Sequence, residues 1–442
     1  MTQHWIVVGA GSAGCVLANR LTADGRRQVT LIEEGPDLAP GDVTSALTGP
    51  NFRPALDEPG RSYPGLLAQR TEQAGTAVYQ RGRGIGGSSA VNAMVALRGS
   101  PSMYERWGWT NLGELWDRML IPETPAEDHE LGAVDRALLA ADDRARPLTL
   151  TRHHGRRVSA AEAYVWPARE RSNLKVLAES QVDRVVIDGR RAIGVVMADG
   201  GALYADRVVV AAGAIHSPAI LLRSGVEHPR LGRGLQDHPA VQLTLELRED
   251  ARMAADSLAI GSVLGLAMND DLLQVLPMNG IDPEAPQYGM LMAALMTPTS
   301  SAGTIEIDDG GNPIINFRLL DDERDLHALR TGFDIARSLL ETKPFTDIVT
   351  EVYVDDAGTT LDDLHDDAID GWIRANCADY VHASGTCAVG SVIDEHHAVI
   401  GYDGLFVCDA SVFPCIPTVN THLPTILVAE RFARMVEQDL TG

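Results

Sequence analysis

Trp5-Ile6-Val7-Val8-Gly9-Ala10-Gly11-Ser12-Ala13-Gly14, at the head of a 442-residue chain, decides the fold. Four apolar residues running into a glycine read as a buried parallel strand. Residues 14–21 read as the helix that follows, and 28–32 as the second strand of a βαβ unit. The turn between strand and helix is GxGxxG. Gly9 allows a tight turn, Gly11 lets the backbone approach a pyrophosphate, and Gly14 lets helix and strand pack closely. The helix N-terminus adds N–H donors and the positive end of its dipole. Glu33 stands 19 residues beyond Gly14, at the end of the second strand. A carboxylate there accepts hydrogen bonds from an adenosine ribose. Spacing alone leaves NAD and FAD both open.

Further along, residues 81–92 (RGRGIGGSSAVN) form a dense set of small donors, with Ile85 and Val91 pointing to an ordered loop. Residues 35–75 are loop-rich. Residues 182–187, 192–197 and 207–211 read as strands, with Asp188-Gly189 and Asp199-Gly200-Gly201 as turns. Strands are expected again at 241–247, 288–296, 304–307 and 314–317. A helix follows with Leu326, Leu329, Phe333, Ala336 and Leu340 on one stripe. A second helix is expected over 361–372, with Leu361, Leu364, Ala368 and Trp372 on one face and aspartates largely elsewhere. The last strand is 405–407. The last helix, 423–436, carries Pro424 in its first turn, where proline is tolerated.

Composition excludes several classes. With 37 basic and 61 acidic residues the net charge is −24, the wrong sign for displacing counterions from nucleic acid or for docking on an anionic membrane. No run of 18 apolar residues is present, so no transmembrane segment is expected. Five cysteines, an odd number without a CxxC pair, indicate neither a disulfide framework nor a zinc site. No metal is expected, and the thiols fit a cytoplasmic protein.

Four segments together resemble the glucose–methanol–choline (GMC) oxidoreductases. They are the GxGxxG turn with Glu33; residues 82–92 running on through Arg98-Gly99 to Trp107; residues 211–225 leading into Gly232-Arg233-Gly234-Leu235-Gln236-Asp237-His238-Pro239; and residues 382–430. The resemblance implies an α/β fold: a Rossmann-like FAD-binding domain with an antiparallel-sheet substrate-binding cap. It assigns 1–108, 152–240 and 376–442 to the first and 109–151 and 241–375 to the second. It implies that Gly9, Gly11, Ser12, Gly14 and Glu33 contact the ADP half of FAD, and that Val182 contacts the adenine through its backbone. Gly86, Gly87, Ser88, Asn92 and Ala93 fall to the flavin half, and Asp409 and Ala410 to the pyrophosphate or ribityl chain. The last helix, from Thr421, is expected to aim its positive end at the flavin. Some members attach FAD through a histidine just before the signature asparagine; Val91 stands there, which implies non-covalent FAD. Familiar members are longer, and the shortening falls largely in 110–150 and 240–290, which implies an unusually open pocket.

Alcohol oxidation needs a proton acceptor and a second group to hold the oxygen. The resemblance gives these roles to His382 and Asn420, with hydride passing from the alcohol to flavin N5 and O₂ or another acceptor reoxidising it. A primary alcohol is preferred, and an aromatic content of 5% makes a choline-type cage less attractive. His422 is the competing base. His216 and His238 read as structural, and His153, His154, His396 and His397 as surface loop residues. Two rival readings stand beside this one. The first is a non-redox flavoprotein like the family's hydroxynitrile lyases. The second is a non-catalytic flavin-binding protein using the acidic 361–372 helix.

Overall fold

The computed structural model describes residues 2–438 except 42, 255–256, 269–270, 281 and 300–301. The expected βαβ unit is Gln3–Val8, Ser12–Thr22 and Arg27–Ile32. It builds a five-stranded parallel sheet in the order Leu174–Leu177, Arg27–Ile32, Gln3–Val8, Arg207–Val210, Leu405–Val407. Ile6, Val7, Leu31, Val208, Val209 and Val210 are buried here, as continuous apolar runs in a covered parallel sheet require. The helices Ser12–Thr22 and His422–Gln438 lie against one another, so the two ends of the chain meet at the Gly9–Gly14 turn. Glu430, buried in the second helix, accepts hydrogen bonds from Arg20 at 2.8 Å and from the Tyr164 hydroxyl at 3.1 Å. The strands Val182–Asp188, Arg191–Met197 and Ala202–Tyr204 form the expected meander.

A six-stranded antiparallel sheet runs Val349–Tyr353, Ala240–Leu247, Tyr288–Leu295, Asp271–Met278, Ser262–Met268, Arg146–Pro147. Side chains alternate across it. Leu243, Leu245, Leu291, Ala293, Leu273 and Val275 pack with Leu329, Phe333 and Ala336 of the helix Glu323–Leu340. The opposite face carries Leu276, Met278, Met290 and Met292. A third sheet joins Arg233–Leu235, Gly303–Ile307, Pro313–Asn316, Leu67–Gln69 and Thr76–Val78. Among the described residues no helix is long and apolar enough to cross a membrane.

Two expectations are corrected, and two strands are added. The helix over 361–372 is only Ile369–Asn376. Residues 359–361 instead bond back to the preceding strand, Leu361 N–H to Val352 O at 2.8 Å and Val354 N–H to Thr359 O at 2.9 Å. Aspartate is a poor helix former, and like charges four apart repel. The strands Ser262–Met268 and Asp271–Met278 went unread in the sequence. His397 is buried rather than on the surface: its Nδ1 lies 3.0 Å from Val407 O and its ring packs on Phe432.

Candidate active site

A cavity of about 1600 Å³ runs from the Gly9–Gly14 turn to the methionine face of the six-stranded sheet. Gly9, Gly11, Ser12, Glu33, Gly87, Ser88, Asn92, Ala93, Val182, His382, Asp409, Ala410, Asn420 and Thr421 all line it. Gly14 and Gly86 do not. A Cβ on Gly14 would come within 1.9 Å of Gly9 O, so this glycine serves helix–strand packing. Gly86, at φ +100°, donates its N–H to Ala10 O at 2.8 Å and ties the two glycine loops together.

Gly11 differs from both: a Cβ built there meets nothing within 4 Å. Its missing side chain leaves space open to the cavity rather than relieving a clash. Glu33 accepts N–H groups from Ala10 at 2.9 Å, Gly35 at 3.0 Å and Gly84 at 2.9 Å. The carboxylate thereby fixes the turn it also faces. Asp409 turns inward, accepting from Gly213 N–H at 2.8 Å, Ser217 Oγ at 2.5 Å and Ser411 N–H at 2.7 Å. Burial raises its pKa. With both oxygens so occupied, this position can offer an anion backbone rather than carboxylate. Asn92 Oδ1 accepts from Met94 N–H at 2.9 Å and from the buried Arg157 at 3.2 Å, which leaves its amide donors for the cavity.

The end of the cavity that holds His382 and Asn420 is built on a mismatched strand pair. Bridges join Gln236 to Ser384 and Ala240 to Ala378, so five residues on one side face seven on the other. The surplus bulges toward the cavity with Tyr380 and His382. Asp237 anchors the bulge, accepting N–H groups from His238 at 2.7 Å, Tyr380 at 3.2 Å and His382 at 3.0 Å, and the Tyr79 hydroxyl at 2.7 Å. Burial pushes the Asp237 pKa up to about 7 against the pull of these donors.

His238 then fixes the His382 ring. His238 Nε2 lies 3.0 Å from the carbonyl oxygen of Pro417, which can only accept, so Nε2 carries the proton. Burial holds the His238 pKa down to about 3, so the ring is neutral and its Nδ1 is a lone pair. That lone pair faces His382 Nδ1 at 2.9 Å, so His382 donates from Nδ1. Burial also lowers the His382 pKa, with His238 and Arg81 as further causes. His382 Nε2 is therefore an unprotonated base, 3.4 Å from Asn420 Nδ2. The network assigns these tautomers. Asp237, His238 and His382 bring ligand atoms within 4.8 Å of one another, but these hydrogen bonds already engage them and favour a relay over a metal site.

His422 lies elsewhere in the same cavity, its Nδ1 3.1 Å from Ser12 Oγ. Its Nε2, Asn420 Oδ1 and His216 Nε2 are buried polar atoms without a protein partner. Three orphaned polar atoms on the cavity wall, the space over Gly11 and the Glu33 turn together fit a large polar dinucleotide such as FAD. The structure brings the expected pair His382 and Asn420 together, and around them stand Asp237, Tyr380 and His238, whose part in this cluster the sequence did not reveal. The Asp237-His238-Pro239 run was visible as a motif, but not its pairing with residues 378–384.

Residues 3–120 and 144–240 match one GMC oxidoreductase family model, and 298–429 match a second. The chain is 30% identical to 5-(hydroxymethyl)furfural oxidase of Methylovorus sp. (strain MP688), over 97% of each protein. It is 29% identical to mitochondrial choline dehydrogenase of Homo sapiens, over 98% of this chain and 89% of that one. The crystal structure of pyridoxine 4-oxidase from Mesorbium loti superposes with a TM-score of 0.86 at 24% identity, covering 99% of each chain. The chain belongs to the GMC oxidoreductase family and is an FAD-dependent oxidoreductase acting on alcohol-type substrates.

Proposed function

We propose that the protein oxidises a primary alcohol to its aldehyde, with His382 as the base and Asn420 as the group that holds the substrate oxygen. The observation that carries this reading is the relay from Pro417 through His238 to His382, which leaves Nε2 unprotonated and facing the Asn420 amide at 3.4 Å. His382 Nε2 accepts the hydroxyl proton. An Asn420 amide hydrogen donates to the oxygen as it gains alkoxide character, and burial strengthens that bond. FAD, when bound, supplies the two-electron acceptor. Gly9, Gly11, Ser12 and Glu33 hold its ADP half, with Val182 at the adenine and Asp409 and Ala410 at the pyrophosphate or ribityl chain. Gly87, Ser88, Asn92, Ala93 and Thr421 hold the flavin half, and Gly14 and Gly86 shape the two loops from behind. The cofactor is non-covalent, since Val91 has no nucleophile. O₂ or another acceptor reoxidises it. All five cysteines are free thiols, which accords with a cytoplasmic enzyme.

Anaerobic mixing with primary alcohols tests the reading, because oxidation bleaches the flavin and non-redox lyase chemistry does not. Proton abstraction by a positioned base is worth roughly 10²–10⁴-fold. His382→Ala should slow bleaching by that factor with FAD retained. A variant as fast as wild type, with His422→Ala slow instead, would move the base to His422.

A further inference from the structure

The cavity face of the six-stranded sheet is stepped. Register places Ala240, Ala294 and Gln274 in one row, Gln242, Met292 and Leu276 in the next, and Thr244, Met290 and Met278 in the third. The first row adjoins the relay. Gln274 Oε1 accepts the Tyr380 hydroxyl at 2.8 Å, and the Tyr380 and His382 rings lie 4.5 Å apart. The second and third rows line the same cavity as His382 and Asn420. From the first row to the third is about 13 Å at the usual strand rise.

None of these nine side chains ionises, and none is aromatic. A charged group laid on them would lose hydration without a counter-charge. A trimethylammonium group laid on the second and third rows would meet methionine, leucine, glutamine and threonine instead of an aromatic cage, the Tyr380 ring lying beside the first row. The charged residues beside the relay are engaged: Asp379 pairs with Arg70 at 2.5 Å, and Arg81 donates to Ser88 Oγ at 2.7 Å and to Val381 O. Methionine is flexible and polarisable, and so moulds to apolar chains of varied shape.

We propose that this methionine face is the wall that selects the substrate, and that it takes an uncharged alcohol with a flexible apolar chain rather than a cationic or anionic alcohol. The assignment rests on the reading that His382 and Asn420 hold the hydroxyl. The chain then runs outward over Met292 and Leu276 to Met290 and Met278.

The test titrates the holoenzyme with a homologous series of tertiary alcohols, from tert-amyl alcohol upward, following the flavin absorbance band. These lack the carbon-bound hydrogen that oxidation removes, so binding is read without turnover. The dissociation constant should fall roughly fourfold per added methylene, the factor that about 0.8 kcal/mol per buried CH₂ represents. Met290→Gln and Met292→Gln should flatten this dependence. The wild-type series decides the matter even if those variants fail to fold. In parallel, n-octanol should bleach the flavin faster than choline or glycolate does. A dissociation constant indifferent to chain length, no spectral response to any tertiary alcohol, or faster bleaching by choline or glycolate overturns the proposal. Chain-length-dependent binding with no bleaching by any alcohol leaves the apolar wall standing and removes the oxidation reading instead.

Discussion

Replacing His238 by leucine isolates the relay from His382, the proposed base it serves. Leucine keeps an apolar side chain in the site but removes the Nδ1 acceptor, 2.9 Å from His382 Nδ1, and the donor to Pro417 O. The His382 Nδ1–H is then buried without a partner, at a cost of roughly 1–3 kcal/mol. The ring recovers that energy by moving its proton to Nε2 or by turning, and either change removes the base from the substrate hydroxyl. At about 1.4 kcal/mol per decade, the limiting rate of flavin reduction should fall roughly 5- to 150-fold. His238→Gln is the control, because a glutamine carbonyl can accept from His382 while its amide donates to Pro417 O. That variant should stay within about threefold of wild type.

The assay is anaerobic stopped-flow reduction at saturating alcohol, on enzyme whose FAD content has been matched by absorbance. Steady-state turnover does not serve, since reoxidation can limit it. The pH profile separates a positional effect from loss of the base. Burial holds His382 below the ordinary histidine value of 6.5, so the wild-type ring is neutral above that pH and loses competence only as pH falls through the lowered pKa. The wild-type rate should therefore be level from about pH 6.5 upward as far as this group governs it. A leucine variant that reduces flavin at the wild-type rate would refute the relay, as would a glutamine variant as slow as leucine.

Gly11→Val should give a folded protein poor in FAD, since the Cβ meets no protein atom within 4 Å and the branch projects into open space; full occupancy by absorbance would misplace the nucleotide. Acid precipitation should release all the yellow colour to the supernatant, because Val91 offers no attachment point; colour in the pellet would show a covalent link. Acid should destabilise the fold below about pH 6.5. His238, His397 and His422, held by burial to about 3, 3 and 4, stay neutral folded while the unfolded chain takes up their protons. His216 and His382, lowered by burial in the same way, add to this, and Asp237, raised to about 7, opposes it, so stability should fall as pH falls through this window. Denaturant melts at about pH 7 and pH 5.5 that coincide would contradict this.

What the sequence made legible follows the range of each signal. The Gly9–Gly14 turn, its strand and its helix are local, and all three were readable. The cradle behind Gly87 was not, because it depends on a contact across the chain: a Cβ on Gly87 would lie 2.7 Å from Gly11 Cα. The strands Ser262–Met268 and Asp271–Met278 escaped because SVLGLAM and DLLQVLPM mix Leu, Ala and Met with few β-branched residues, and Pro277 interrupts the second. Their identity as strands is imposed by pairing, Asp271–Met278 with Tyr288–Leu295 and Ser262–Met268 with Asp271–Met278. The same fact hid the methionine face, which exists only once register stacks Met292 beside Leu276 and Met290 beside Met278. His397 looked exposed because it follows His396 in a polar loop, yet Val407 O and the Phe432 ring enclose it.

The relay also explains why His382, the proposed base, lies on an irregular bulge rather than on a helix or strand. Val381, just before His382, has φ +54°, a left-handed conformation that a β-branched residue adopts at a cost of order 1–3 kcal/mol. That backbone persists because its neighbours over-determine it. Asp379 Oδ1 accepts the Val381 N–H at 3.2 Å, Arg81 donates to its carbonyl, Asp237 holds the N–H of His382, and Tyr79 Oη accepts the N–H of Ala383 at 2.8 Å. A regular strand would point alternate side chains to opposite faces, so Tyr380 and His382 could share a face but could not both be set against His238. The extra residues of the bulge turn the His382 ring 89° to that of His238, edge-on, so that the two Nδ1 atoms meet while Nε2 points to Asn420. Asp237 and His238 thus divide one task, the carboxylate fixing the backbone of the bulge and the imidazole fixing the tautomer of the ring it carries.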